Sequence, residues 1–430
     1  MQEIRITRRQ LIKLGAAGAV VSSLSACATM GEKKTLGKVV VIGAGYGGAT
    51  AAKYLRLWSG GTIDVTLVDA NQQFISCPLS NLVLGGSRTL ADLTVGYGGL
   101  RKHGVNVVVD TATAIDVEKK QVRLASGTVL AYDRLVVSPG VEFMYEAVRG
   151  MDTAAQQMVL HAWKAGPQTL ALRKQLEAMP DGGVVLVSIP VAPYRCPPGP
   201  YERACQIGWY LKNNKPKSKL LLLDANPDYV SKKPLFSRVF AEDYKGVVEY
   251  RPQSTVAEVD ATGKAFLLDL GERIQGDVLN LIPPQRAANI ARDAGLITAN
   301  NRWCEIDWIT MESIKVPAVH VLGDATLSAP AMPKSGHMAN QHGKTAAAAI
   351  VELMSGRTPV PPTMANTCYS FIDDKNVVHV ASVHRYVPEK KTMEIVAGAT
   401  GISTQDRASW AIEGTYGNGW AQTIWADMFA

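Results

Sequence analysis

Short apolar runs closed by small or charged residues recur along the chain, and each reads as a buried strand. The clearest sits in KVVVIGAGYGGATAAKYLRLW (residues 38–58): an apolar strand, a glycine-rich turn and an alanine-rich helix. IDVTLVDA (63–70) is the next strand, and YDRLVVSPG (132–140), DGGVVLVSIP (181–190) and VPAVHVLGDAT (316–326) repeat the pattern. YERACQIGWYLKNN (201–214) carries helical spacing, with Pro200 suited to a first helical turn. PKSGHMANQHGKTAAAAIVELM (333–354) is a second long helix. Strands alternating with helices predict an α/β chain.

The turn after the first strand has the form Gly-x-Gly-x-x-Gly. Gly43 makes the tight turn, Gly45 lets a pyrophosphate approach the backbone, and Gly48 lets the helix lie close on the strand. The helix N-terminus then offers free N–H groups to the phosphates. Asp69, closing the next strand, is placed for ribose hydroxyls. The late Gly323-Asp324 resembles the motif by which glutathione-reductase-like flavoproteins hold the ribityl chain of FAD; a helix cap is the minor alternative for Asp324. In that superfamily a second glycine loop follows for a nicotinamide, but here the strand at 181–190 leads into VAPYRCPPGPYERAC, with Gly199 alone. Proline lacks the N–H groups of a phosphate cradle, so this half has the strands of a nucleotide domain without its loop.

The N-terminus carries TRRQLIKLG (7–15), a twin-arginine pattern, then an apolar stretch over residues 14–26 too short to span a bilayer. Residues 1–30 therefore read as a twin-arginine export segment, which predicts a periplasmic protein. Cleavage after Ala28 is favoured, and a lipoprotein-type cut that leaves Cys27 lipidated is the alternative. This segment supplies three of the seven excess positive charges, leaving +4. That balance, with no basic run interleaved with aromatics, argues against nucleic acid, and no later segment reads as transmembrane.

Beyond the leader five cysteines remain, at 77, 196, 205, 304 and 368, an odd number for an oxidising compartment. Cys77, in NQQFISCPLSN (71–81), stands beside the expected FAD site with no CxxxxC mate. Spacing leaves a covalent flavin link and a buried free thiol both open. Cys196 precedes a helix N-terminus, where a thiol's pKa is expected to fall; a plain structural cysteine is the competing reading. Five helical residues rise about 7.5 Å, which with the extended Pro-Pro-Gly segment exceeds the roughly 7 Å reach of a disulfide and argues against a Cys196–Cys205 bridge. Cys304 reads as structural. The histidine pairs 337/342 and 379/384 are five apart and share no helix face, so no metal site is expected.

GAGYGGATAAKYL, SCPLSN, HAWKAGPQT, RCPPGPYERA, NLIPPQRA, GDATLSAPAMPKSG and NTCYSF together resemble the flavoprotein subunit of flavocytochrome c sulfide dehydrogenase, within the sulfide:quinone-oxidoreductase-like group. The resemblance implies two Rossmann-like domains of glutathione-reductase type and a C-terminal α+β domain. Their expected bounds are 36–149 with 287–357 for FAD, 150–286 for the half without a nicotinamide loop, and 358–430 for a flavin-capping domain. It implies FAD joined through its 8α-methyl group to Cys77, a redox disulfide between Cys196 and Cys368, and Glu202 as an active-site carboxylate. Gly323, Asp324, Lys334 and Trp420 would stand at the flavin, although a surface position is the plainer reading of Lys334 and ordinary core that of Trp420. The implied activity is oxidation of sulfide with electrons passed to a c-type cytochrome subunit in a heterodimer. The chain has no Cys-x-x-Cys-His, so the haem belongs on another chain. Sulfide:quinone oxidoreductase, with membrane quinone as acceptor, is the alternative.

Overall fold

In the computed structural model, which describes residues 35–430, the first strand, Gly37–Ile42, lies centrally in a five-stranded parallel sheet. Arg134–Val137 and then Val319–Val321 flank it on one side, and Ile63–Asp69 and then Asn106–Val109 on the other. Val39, Val40 and Val41 are buried, as expected where helices cover both faces of a parallel sheet. The Tyr46–Trp58 helix follows the glycine turn and packs against the Gly336–Met354 helix. A Cβ on Gly343 would stand 2.5 Å from the Gly47 carbonyl oxygen, so glycine allows that close approach. The late strand and this late helix thus complete a sheet begun near residue 37.

A second parallel sheet has the order Val248–Arg251, Lys219–Asp224, Val184–Ile189, Val278–Leu281. The Gly199–Asn214 helix follows the Val184–Ile189 strand through the proline-rich turn. Asp224 ends a strand as Asp69 does in the first sheet, but its surroundings are closed. Its carboxylate accepts from Tyr201 Oη (2.8 Å), Tyr250 Oη (3.1 Å) and the Asn226 amide N–H (2.9 Å), and it is fully buried. Tyr229 stacks on Tyr250 with centroids 4.1 Å apart. Aromatic side chains thus fill the space at this strand end.

An antiparallel meander, Thr363–Phe371, Val377–Val387 and Thr392–Ile402, precedes the C-terminal helix Trp410–Phe429. Lys53 donates to the carbonyls of Ala426 (3.1 Å) and Asp427 (2.9 Å), tying that helix to the first one. Asp427 also accepts from Tyr54 (2.5 Å) and Asn340 (2.8 Å) and pairs with Lys344 (2.9 Å). Among the described residues no helix is long and apolar enough to cross a membrane. The twin-arginine segment and Cys27 lie outside the described residues.

Candidate active site

The glycine turn, the loop after Asp69, the turn before Gly199 and the first meander strand converge on one cavity of about 400 Å³. At its nucleotide end Gly43 has φ +93°, and a Cβ there would stand 2.3 Å from the Ser138 carbonyl oxygen. A Cβ on Gly48 would stand 1.9 Å from the Gly43 carbonyl oxygen. Gly45 has nothing within 4 Å of that position and caps the helix, leaving room for a phosphate against free N–H groups. Asp69 Oδ2 accepts from the Ala44 amide at 2.7 Å and lines the cavity. Asp324 is also on the wall, and its buried Oδ1 has no partner among the described residues. A buried acceptor left open in this way is free to accept from a ligand hydroxyl. It caps no helix, and burial raises its pKa against the pull of Arg195 and Lys334. These residues fit FAD.

Gly323 is left-handed (φ +67°), and its N–H donates to His342 Nδ1 at 3.1 Å. Burial, helped by Lys334, lowers the His342 pKa to about 3, which keeps that acceptor neutral. Lys334 is not a surface residue. It is 5% exposed, its ammonium lies 3.8 Å from the Trp303 ring centroid, and it donates to the carbonyls of Asp324 (3.1 Å) and Thr326. Burial lowers its pKa to about 8, although Asp324 opposes the shift. Its own carbonyl accepts from the Cys196 N–H at 2.7 Å, so one residue braces the Asp324 turn and the Cys196 turn.

Cys196 has φ +57°, a strained conformation for a side chain with a Cβ, and its carbonyl accepts from the Gly199 N–H at 2.8 Å. A Cβ on Gly199 would stand 2.8 Å from Cys196 Sγ and 2.7 Å from the Trp163 ring, so glycine starts this helix. The expected fall in the Cys196 pKa does not occur. Burial pushes it well up, Cys368 and Glu202 add to the rise, and Arg195 and Lys232 oppose it only in part. Desolvation outweighs the helix terminus here.

Cys368 reaches the same wall from the Thr363–Phe371 strand. Burial raises its pKa too, opposed by Lys232 and by hydrogen bonds from Asn366 and Ser335. The five described cysteines are free thiols, and Cys205 and Cys304 are fully buried away from this wall. Glu202 is buried one turn into the helix. Its Oε1 accepts from the Phe371 N–H (2.9 Å) and its Oε2 from Asn81 Nδ2 (2.9 Å). Burial still raises its pKa against those bonds and against Lys232 and Arg203.

Cys77 lines the cavity beside Arg195, whose Nη2 lies 3.1 Å from its sulfur. Trp420 lines it as well, with a buried indole N–H that has no partner among the described residues. Every residue expected at the site except Gly48, which works behind the turn, is therefore on the one wall. Sequence reasoning missed four others. Arg195 and Arg203 adjoin Cys196 and Glu202 in the motif and were legible as neighbours. Asn81 ends SCPLSN. Lys232 is in no motif; it is buried and donates to Cys368 O (2.7 Å), Ser370 Oγ (2.9 Å) and Val378 O (2.8 Å). Among the described residues no cluster of three or more His, Cys, Asp or Glu could hold a metal.

Three family models match the chain. The pyridine nucleotide-disulphide oxidoreductase model covers residues 37–177. The central model of the sulfide dehydrogenase [flavocytochrome c] flavoprotein chain covers 169–283, and the flavocytochrome c sulphide dehydrogenase flavin-binding model covers 360–429. The mitochondrial sulfide:quinone oxidoreductase of Dictyostelium discoideum is 23% identical over 68% of this chain and 66% of that protein, just under two thirds of its length. The sulfide dehydrogenase [flavocytochrome c] flavoprotein chain of Chlorobaculum thiosulfatiphilum is 52% identical over 46 residues, which is 11% of this chain and 94% of that sequence. The crystal structure of the Aquifex aeolicus sulfide:quinone oxidoreductase matches the fold with a TM-score of 0.71 at 19% identity, covering 91% of each chain.

Proposed function

Because the chain belongs to the sulfide:quinone-oxidoreductase-like flavoproteins, the group with the flavoprotein chain of flavocytochrome c sulfide dehydrogenase, we propose that it oxidises sulfide at a Cys196–Cys368 disulfide and passes the electrons to a c-type cytochrome subunit. That it is an FAD flavoprotein of this group is the premise; sulfide oxidation, the disulfide, the covalent link at Cys77, the acceptor and the periplasmic location are the proposal. The observation that carries it is that Cys196 and Cys368, from distant parts of the chain, both line the cavity that also holds Gly45, Asp69 and Asp324.

Hydrosulfide attacks one sulfur of the disulfide, forming a persulfide there and releasing the other cysteine as thiolate. Gly43, Gly45, Asp69 and Asp324 would hold FAD, which would supply a two-electron acceptor. Glu202, a buried carboxylate with a raised pKa, takes up the proton released as the sulfur is oxidised. Lys232 stands behind Cys368 with its three donors fixed, so it contributes charge and position, not a mobile proton. Trp420, on the C-terminal helix, lines the cavity. The relative titled a flavocytochrome c flavoprotein chain supports a cytochrome partner, and the twin-arginine pattern supports periplasmic export.

The relatives titled sulfide:quinone oxidoreductases favour a second reading in which quinone replaces the cytochrome. Anaerobic titration of the purified flavoprotein with sulfide tests the shared half, with bleaching of the flavin absorbance expected. Reoxidation by cytochrome c but not by a short-chain ubiquinone supports the first reading. The reverse supports the second, and a flavin that sulfide leaves oxidised overturns both.

A further inference from the structure

The loop that presents Cys196 to the cavity also presents a cation to Cys77. Arg195 Nη2 lies 3.1 Å from Cys77 Sγ, and the same guanidinium donates to the Trp163 carbonyl, which fixes its orientation. The Ala165 N–H approaches the sulfur from a second direction at 3.4 Å. The Arg195 main-chain N–H is held by Gln285 Oε1 at 3.0 Å, so the backbone beneath it is fixed as well. Cys77, Ala165 and Arg195 all line the cavity. A structural thiol has no need of two convergent donors, one of them charged; a sulfur that must shed its proton and form a bond does.

Resting on the reading that Cys77 carries the flavin, we propose that Arg195 is the catalytic residue of that attachment: it orients the Cys77 sulfur and balances the negative charge the sulfur bears when its proton leaves. In this step the Cys77 S–H and one C–H of the flavin 8α-methyl group are replaced by one C–S bond. The two electrons and two protons remain on the flavin ring system as its reduced form, so no outside oxidant enters. Arg195 and Cys196 are adjacent in the chain, so the loop that binds the redox sulfur also directs the attachment. The FAD site is therefore coupled to the sulfur site before any turnover.

The test compares wild-type protein with the Arg195→Met, Arg195→Lys and Cys77→Ser variants, each isolated as soluble, flavin-free protein and shown to bind added FAD. The readout is the fraction of bound flavin that stays with the polypeptide after denaturation, followed by fluorescence of the protein band and by intact mass, with time after FAD is added. Wild type is expected to become fully covalent and Cys77→Ser to remain non-covalent. Arg195→Met should bind FAD yet attach it ~10²-fold more slowly, the scale of one positioned catalytic group, and Arg195→Lys should recover part of that rate. A merely structural role would lower FAD binding and attachment together. Arg195→Met attaching flavin at the wild-type rate would overturn the proposal while leaving the Cys77 reading intact. Wild type releasing all its flavin on denaturation would overturn both.

Discussion

The two Rossmann-like halves end a strand alike and diverge at the turn that follows. In the first, Gly45 opens onto empty space and Asp69 faces the cavity with room for a ribose. In the second, a proline-rich turn stands where glycines would be, and the acid at the strand end, Asp224, is sealed by Tyr201, Tyr250 and Asn226. The difference lies in what each turn now presents. One presents backbone N–H groups to a cofactor; the other presents Arg195, Cys196 and Glu202 to that same cofactor's cavity. A nucleotide domain has kept its sheet and replaced ligand-binding backbone with reactive side chains.

That contrast is broken most directly at the cysteines. Cys196→Ser and Cys368→Ser should each abolish sulfide-dependent bleaching while dithionite still reduces the flavin, read by anaerobic stopped-flow absorbance. NADH at millimolar concentration should leave the wild-type spectrum unchanged; bleaching by NADH would mean the second half still binds nucleotide.

Glu202→Gln should slow flavin reduction ~10²-fold, as removal of a positioned proton acceptor does. The sign of the pH dependence follows from burial. A carboxyl whose pKa is raised accepts a proton only above that raised value, so the wild-type rate climbs with pH past the usual carboxylate range. The Gln variant should lose that limb. A Gln variant that keeps it would reassign the titration to another group.

Lys232→Met probes the same site through charge. Burial lowers the Lys232 pKa to about 8, so its positive charge behind Cys368 is present below that pH and fades above it. The variant leaves the carbonyls of Cys368 and Val378 without their donor, at ~1–3 kcal/mol for each group left unsatisfied, read as a lower midpoint in urea. It should also remove the decline in flavin reduction above pH 8 that is expected of the wild type.

The halves can be separated by one methyl group in one and one hydroxyl in the other. Gly48→Ala forces a Cβ against the Gly43 carbonyl, should cost ~1–3 kcal/mol, and should release flavin on dialysis. Tyr201→Phe removes the bond to Asp224 and the acceptor of the Val230 N–H, should cost ~1–3 kcal/mol, and should leave flavin content unchanged. Equal flavin loss in both would erase the distinction between a cofactor turn and a filled one.

Much of this contrast was legible in the residues because backbone demands are local. Gly43, Gly45 and Gly48 state a turn, a close approach and a packing contact within six positions, and a run of prolines denies the same turn as plainly. The cysteines and Glu202 were legible through a shared motif resemblance, and their meeting on one wall depends on the tertiary fold. Electrostatics was the least legible. Cys196 reads as an activated thiol from its helix terminus, yet burial beside Cys368 and Glu202 reverses the shift. Lys334 reads as a surface cation, yet Trp303 and the Asp324 turn enclose it. Lys232 had no local signal, because its partners come from strands more than a hundred residues further on.

The central claim is that Cys196 finds its redox partner across the cavity and not along its helix. Trypsin separates the candidates, since Arg195 and Arg203 bracket the Cys196 peptide and leave Cys205 on the next one. Peptide mapping of the oxidised protein without reductant, by mass spectrometry, should find the Cys196 peptide bonded to the Cys368 peptide, with flavin on the Cys77 peptide. A Cys196–Cys205 bridge, or Cys196 and Cys368 both alkylated as free thiols in the air-oxidised protein, would contradict it.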